Sequence, residues 1–272
     1  MKTFHILALL LALCFTSAQP LQAASVNIAN GNLFERLSVS PLPTVPVSIA
    51  YNSRSAREGL FGHGWSSSLD IRLLVNSSGS CVLIDADGSE RLFLPAANNA
   101  YTAAADVHDT LSKTGAGYLL TRKFGETIAF DATGKPISMA DRNNNAIILG
   151  QENGKLISIT DLDNNQLAIV TDAVGHITTL AGAGKTTSIA YDASNNLISI
   201  TDPAGAVTRF GYDATHHRTS KTNPAGGVSA YTYDSSGRVI STANPAGEAR
   251  TFSYSSATSS RSVDPLGNPT DY

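Results

Sequence analysis

Residues 189–251 read IAYDASNNLISITDPAGAVTR, FGYDATHHRTSKTNPAGGVSA and YTYDSSGRVISTANPAGEART, three consecutive lines of one pattern. Their tyrosine–aspartate pairs, Tyr191-Asp192, Tyr212-Asp213 and Tyr233-Asp234, recur in steps of 21 residues. A second landmark keeps the same phase: Asp202-Pro203-Ala204-Gly205, Asn223-Pro224-Ala225-Gly226, Asn244-Pro245-Ala246-Gly247 and Asp264-Pro265-Leu266-Gly267. A fixed period near twenty residues marks a repeat architecture and outranks any local reading of secondary structure.

The third line shows what one repeat is. Tyr231, Tyr233 and Phe252 stand among Thr and Ser in short alternating runs, the pattern of a strand with one buried face. Asp234-Ser235-Ser236-Gly237 is a turn, because Asp bonds its own backbone two residues on and Gly accepts positive φ. Residues 238–242, RVIST, are a second, β-branched strand. Asn244-Pro245-Ala246-Gly247 closes the unit, with Pro fixing φ at the first corner. No later run of ten residues has helical periodicity, and prolines recur too often for one. A single hairpin cannot bury its apolar face in water, so successive hairpins must join one sheet. On this reading Tyr191, Tyr212 and Tyr233 pack in the sheet, Asp192, Asp213 and Asp234 open turns, and Gly205, Gly226 and Gly247 end them. The expected fold is all-β.

Residues 1–24 read as a secretory leader: Lys2 supplies the positive start, and residues 6–13 form an apolar core too short to span a bilayer. Cleavage after Ala23 or Ala24 would remove Cys14 and leave Cys81 alone, so no disulfide within the chain is expected. Loss of Lys2 takes the formal charge from −3 to −4. That mildly acidic balance gives no reason to expect nucleic acid as a partner. No transmembrane segment is expected after the leader.

From 25 to 95 the chain is β-rich but not repetitive. Asn30-Gly31-Asn32 is a turn ahead of an alternating strand at 33–39, and further strands are expected at 47–51, 69–73 and 81–85. Asp87-Gly88 reads as a two-residue hairpin leading into 90–94. The runs NIANGN (with Gly31 and Asn32), YNSRS (Tyr51, Asn52, Arg54), GLFGHGWS (Gly62, Gly64, Trp65) and DADGSERLF resemble the segment ahead of the repeats in Rhs/YD-repeat proteins. The aromatic–Asp units behind them resemble the YD repeats themselves. The resemblance covers nearly all of the chain after the leader. It implies an N-terminal antiparallel β domain followed by a spiral array of β-hairpin YD repeats. Family members include polymorphic toxins, shell subunits of insecticidal toxin complexes, and teneurins. Such hairpins wind there into a hollow shell, which in the toxins encloses a C-terminal toxic domain.

Residues 96–127 are expected as an irregular connecting β segment, with Tyr101 and Tyr118 as anchors. Repeats of about 21 residues are expected over 128–272, with Gly134, Gly154 and Gly175 keeping step in degenerate early copies.

Candidate sites reduce to structure. A Tyr–Asp pair gains nothing catalytically from several copies, whereas repetition itself demands a structural role. His216 and His217 replace turn residues of the other copies, and adjacent residues of a strand point to opposite faces, so they cannot share a metal. Gly182-Ala183-Gly184-Lys185-Thr186 imitates the end of a phosphate loop, but Thr179 stands where its first glycine belongs. Residues 161–165, DLDNN, imitate a calcium loop, yet Gln166 replaces the required Gly and Asp172 the twelfth-position Glu. His63, beside Trp65, reads as a tight-turn residue. No GxSxG elbow occurs. No catalytic, cofactor or metal site is expected.

Family toxins carry many more repeats, then a core segment and the toxin; Asp264-Pro265-Leu266-Gly267 matches only an ordinary repeat turn. Six or seven hairpins are too few for a closed shell, and a bare C-terminal edge invites another strand. The expected role is therefore a non-enzymatic secreted structural module. Its partners would be further YD-repeat sequence or another protein chain at that edge. The alternative is a stand-alone extracellular module binding carbohydrate or protein.

Overall fold

The computed structural model describes residues 24–256 and 259–272. The expected leader lies outside them, apart from Ala24, and so does Cys14. The described residues form strands and two 3-10 segments, Ser68–Asp70 and Ala97–Asn99, with no α-helix among them. The fold is all-β.

The first strands are β1 (Ser25–Asn27), β2 (Asn32–Ser38), β3 (Ser48–Asn52), β4 (Glu58–Gly59), β5 (Gly62–His63) and β6 (Trp65–Ser67). They make a four-stranded sheet in the order β1-β2-β3-β6 and a two-stranded β4-β5 hairpin. β7 (Arg72–Val75), β8 (Cys81–Ile84), β9 (Glu90–Pro95) and β10 (Tyr101–Thr102) form a meander. Seventeen strands follow in one sheet in sequence order, from Thr110–Lys113 to Pro269–Asp271, each antiparallel to its neighbour where the register is given. The chain divides into two compact units. One is Ser40–Ser48 with Ser67–Thr186; the other is Ile49–Ser66, Thr187–Tyr272 and the described part of Gln19–Val39.

One turn geometry explains the repeat. At Asp192 the backbone N–H donates to the Asn196 carbonyl, while the Asp192 carbonyl accepts from Asn195. Its carboxylate accepts the N–H groups of Ser194 and Asn196, each at 2.9 Å. Asn195, the fourth residue, has φ +62°. This is a three-residue hairpin loop, a type I turn followed by a left-handed residue. The same bonds recur at Asp131, Asp141, Asp161, Asp202, Asp213, Asp234, Asn244 and Asp264. The fourth position is Gly, Asn or His216, all at positive φ, the residue types that reach this region at least cost. The YD and DPxG landmarks are thus two occurrences of one turn, and the 21-residue period contains it twice. At two points a two-residue loop takes its place. These are Asn153-Gly154 (φ +48° and +74°) and Ala183-Gly184 (φ +51° and +73°), both of the primed type that suits strand twist.

Three details differ from the sequence expectation. Leu69 and Asp70, expected in a strand, lie in a 3-10 turn capped by Ser67, because the Asp70 carboxylate accepts the Ser67 N–H at 2.7 Å. The strand starts after them, at Arg72. The turn at Asp87-Gly88 has three loop residues rather than two, with Asp85 in the opening position and Gly88 at φ +86°. Finally, Thr110–Lys113 and Gly117–Thr121, within the segment expected as a connector, already belong to the long sheet, pairing Leu111 with Leu120 and Leu120 with Ile128. They lack a YD landmark, so the period does not reveal them.

At six of the turns, hydrogen bonds favour the charged form of the carboxylate. Burial opposes ionisation at Asp131, Asp141, Asp172, Asp192, Asp213 and Asp234, but the hydrogen bonds they accept outweigh it and hold each pKa below the ordinary 3.8. A depressed carboxylate stabilises the fold above its unfolded pKa and ceases to do so as pH falls through the folded value. The urea midpoint should therefore hold steady from neutral pH to about pH 5 and fall steeply below about pH 4. Asp141→Ala, which strands two N–H groups and the Asn145 amide, should cost about 1–2 kcal/mol at pH 7, measured by urea unfolding.

Candidate functional site

In the second unit the repeat places a buried residue at the start of each hairpin's second strand: Leu197, then Val239, each 0% exposed. Between them, at the equivalent position, stands Arg218, also 0% exposed. Its guanidinium carbon lies 4.6 Å from the ring centre of Tyr51, 5.2 Å from Tyr231, 5.5 Å from Phe210 and 5.8 Å from Trp65. Cation–π attraction is strongest when the cation is desolvated, as here. The counter-ion is Glu35, whose Oε2 is 2.6 Å from Arg218 Nη1. Lys221 makes a short ion pair with the other oxygen, Oε1. Alternation in β2 explains Glu35: Leu33, Glu35 and Leu37 share its inward face, and the carboxylate is 2% exposed. Burial opposes the charge of Arg218, yet the carboxylate of Glu35 holds the group above its already high ordinary pKa.

Four of the sequence landmarks, Tyr51, Trp65, Tyr212 and Tyr233, meet at this centre, and the others hold turns and close approaches around it. Tyr51 Oη accepts the Arg218 N–H at 2.8 Å. Burial pushes the Tyr51 hydroxyl up to about 12, although the bond from Arg218 and its charge work the other way. Trp65 Nε1 donates to Tyr212 Oη at 2.9 Å, and its ring lies 5.2 Å from that of Tyr51. Tyr233 Oη donates to the Arg218 carbonyl at 2.8 Å, and Tyr191 Oη to the Leu60 carbonyl at 3.4 Å. Gly31, at φ +69°, presses so closely on Arg238 that a Cβ there would sit 2.4 Å from the Arg238 Cβ. The Gly31 carbonyl accepts the Val239 N–H. Asn32 Oδ1 accepts from Ser53 and from the Arg54 N–H, while Arg54 Nη1 donates to the Ser236 carbonyl at 3.2 Å. Asn52 donates its N–H to the Gly64 carbonyl, and Gly62 packs on the Asn195 carbonyl. Gly205, Gly226 and Gly247 hold the left-handed turn position.

The remaining sequence candidates are occupied by turn chemistry. His216 takes the left-handed position, and His217 bonds the Asp213 carboxylate at 3.2 Å, as Asn196 and Arg238 bond theirs. The His216 ring lies against that of His63, tilted by 30° with ring centres 3.9 Å apart, and His63 lies 3.3 Å from Glu58. The Asp161 carboxylate accepts from Asp163, Asn165 and the Asn165 amide, so it serves the turn. Among the described residues no three His, Cys, Asp or Glu side chains are grouped to hold a metal. Sequence reasoning missed Glu35, Arg218 and Lys221. The available signal was a cation where Leu197 and Val239 stand in the neighbouring copies.

The first unit has its own ion cluster. Arg122 grips Asp85 through both guanidinium ends at 2.7 and 2.8 Å and reaches Asp109 at 2.9 Å, while Arg91 bonds Asp85 at 2.6 Å. Burial would raise the Asp85 pKa, but the two arginines bring it below the ordinary value. Beside this cluster a groove of about 750 Å³ runs along β9, lined by Arg91, Leu92, Leu94, Val107, Asp109 and Lys123 among others. Cys81 is buried and unpaired. No helix among the described residues is long and apolar enough to cross a membrane.

Two family models match the chain. One is the RHS repeat, over residues 191–228 and 218–249. The other is a domain of unknown function, DUF6531, over residues 23–93. No curated protein sequence matches. Among solved structures the chain is similar to the crystal structure of TcdB2-TccC3-Cdc42, at 14% identity and a TM-score of 0.41, over 89% of this chain and 15% of that one. It is also similar to the Photorhabdus luminescens Tc holotoxin pore, at 15% identity and a TM-score of 0.40, over 91% of this chain and 14% of that one. The chain therefore spans only 14–15% of the length of these two.

Removing one partner of a buried ion pair leaves the other charge stranded. Glu35→Gln should lower unfolding stability by about 3–5 kcal/mol, followed in urea by Trp65 fluorescence; a loss under about 1 kcal/mol would fit only an exposed pair.

Proposed function

As this chain is an RHS-repeat protein with a DUF6531 domain ahead of its repeats, we propose that it is a non-enzymatic, secreted structural module. It forms the N-terminal section of a YD-repeat wall of the kind that encases polymorphic toxins. The observation that carries this reading is where the repeated side chains go. Each repeat tyrosine hydroxyl bonds within the fold, and each turn carboxylate closes its own loop. A repeat whose landmarks are all used internally presents walls, not active sites. The leader at 1–24 fits delivery of such a wall outside the cytoplasm.

Its continuation would be further YD-repeat sequence or another chain on the edge strand Pro269–Asp271. That strand pairs Thr270 with Ser262 on one side, and Ser260 exchanges backbone bonds with Tyr272. Ladder parity therefore turns the N–H of Asp271 outward. Light scattering of the chain lacking 1–24 should show association that grows with concentration. Asp271→Pro, which removes an outward donor, should weaken it several-fold. A monomer throughout the concentration range would contradict the proposal.

A second reading, extracellular binding of carbohydrate or protein, is favoured by the groove along β9, where exposed Leu92 and Leu94 accompany Arg91 and Lys123. Retention on polysaccharide beads, lost in Lys123→Ala, would support it.

A further inference from the structure

The hairpins of the second unit are near-copies, and near-copies offer near-identical docking surfaces to the strands ahead of the repeats. If those strands moved by one repeat, Trp65 would meet Tyr191 or Tyr233 instead of Tyr212, and Ile189 or Tyr231 would replace Phe210. Arg54 reaches a backbone carbonyl, Ser236 O, and every copy has one there. Aromatic and backbone contacts barely separate these registers.

Charge separates them sharply. Arg218 stands where the adjacent copies carry Leu197 and Val239, and Lys221 where they carry Ile200 and Thr242. Glu35 is almost fully buried and pairs with both cations. One repeat away in either direction it would be buried without any cation. An uncompensated buried carboxylate is among the costliest defects a fold can carry. We propose that Glu35, Arg218 and Lys221 form a register key, selecting the one hairpin on which the strands ahead of the repeats close. A buried ion pair adds little over a well-packed apolar contact, so its value lies in discrimination between alternatives. The cage of four rings around Arg218 completes the lock, since a cation desolvated there needs both the rings and the carboxylate.

The test is crosslinking in the chain lacking 1–24. Paired substitutions R54C/S236C report the observed register, and R54C/T215C report a shift of one repeat; a short dimaleimide joins whichever pair is adjacent. Cys81, 0% exposed, is spared. With the key intact, the 54–236 product dominates. In an E35L/R218L/K221T background the ratio of 54–215 to 54–236 product should rise about tenfold or more, with the near-UV signal of Trp65 showing that the chain is folded. An unchanged ratio in that folded background overturns the proposal. A second variant moves the key: L197R/I200K with R218L/K221T, leaving Glu35 in place. The dominant product should switch to 54–215, and persistence of 54–236 overturns the proposal independently. Loss of the Trp65 signal in both backgrounds also overturns it, because the triad would then be a requirement for folding rather than a choice between registers.

Discussion

A lone β-hairpin does not hold together in water, and nearly everything in this chain follows from that constraint. Each hairpin must lend one edge to the hairpin before it and one to the hairpin after it, so the chain grows as a ladder in sequence order. A ladder of this kind needs turns that reverse direction identically every ten or eleven residues. The Asp-initiated turn does this by satisfying its own backbone donors with its own carboxylate. It leaves only the strands to be stabilised by their neighbours. Buried residues such as Leu167 and Ile169, alternating with exposed Gln166, Ala168 and Val170, and Ile177 and Leu180 on the next strand supply that stabilisation.

The second unit adds a different physical element. An apolar face built from repeats is uniform, and uniformity is a poor address for strands that must close on one place. The cation at Arg218 breaks the uniformity inside the core. The cost of burying it is offset by Glu35 and by four aromatic rings, two of which, Tyr51 and Trp65, come from the segment ahead of the repeats. Charge and ring contacts act together: the ion pair would be poorly solvated without the cage, and the cage would be unspecific without the ion pair.

Much of this was legible in the sequence. The period, the hairpin character and the turn roles of Asp192, Asp213 and Asp234 follow from spacing and turn chemistry, because local backbone rules act within four residues. The identity of the two landmark turns did not show, since Pro203-Ala204 stands where Ala193-Ser194 stands and disguises the same bonds, made to Asp202 in one turn and to Asp192 in the other. Thr110–Lys113 and Gly117–Thr121 escaped because strands without a repeated turn residue carry no phase. The site escaped for a tertiary reason. Glu35 reads as an ordinary polar residue of an alternating strand, although its place between Leu33 and Leu37 puts it on the inward face. Arg218 reads as a strand-opening residue unless it is compared with Leu197 and Val239. Neither reveals that it pairs with a residue 183 positions away.

The central claim is that the strands ahead of the repeats and the hairpins beneath them are one cooperative unit held through Arg218. Native-state hydrogen exchange tests it most directly, because it reports the opening energy of each segment separately. The account predicts that amides of Asn32–Ser38 and Arg218–Thr222 open together, with matching free energies among the highest in the second unit, and that Glu35→Gln lowers both equally. Fast exchange over Asn32–Ser38 while Arg218–Thr222 stays protected would contradict it, leaving the hairpins as a wall that stands without the segment in front.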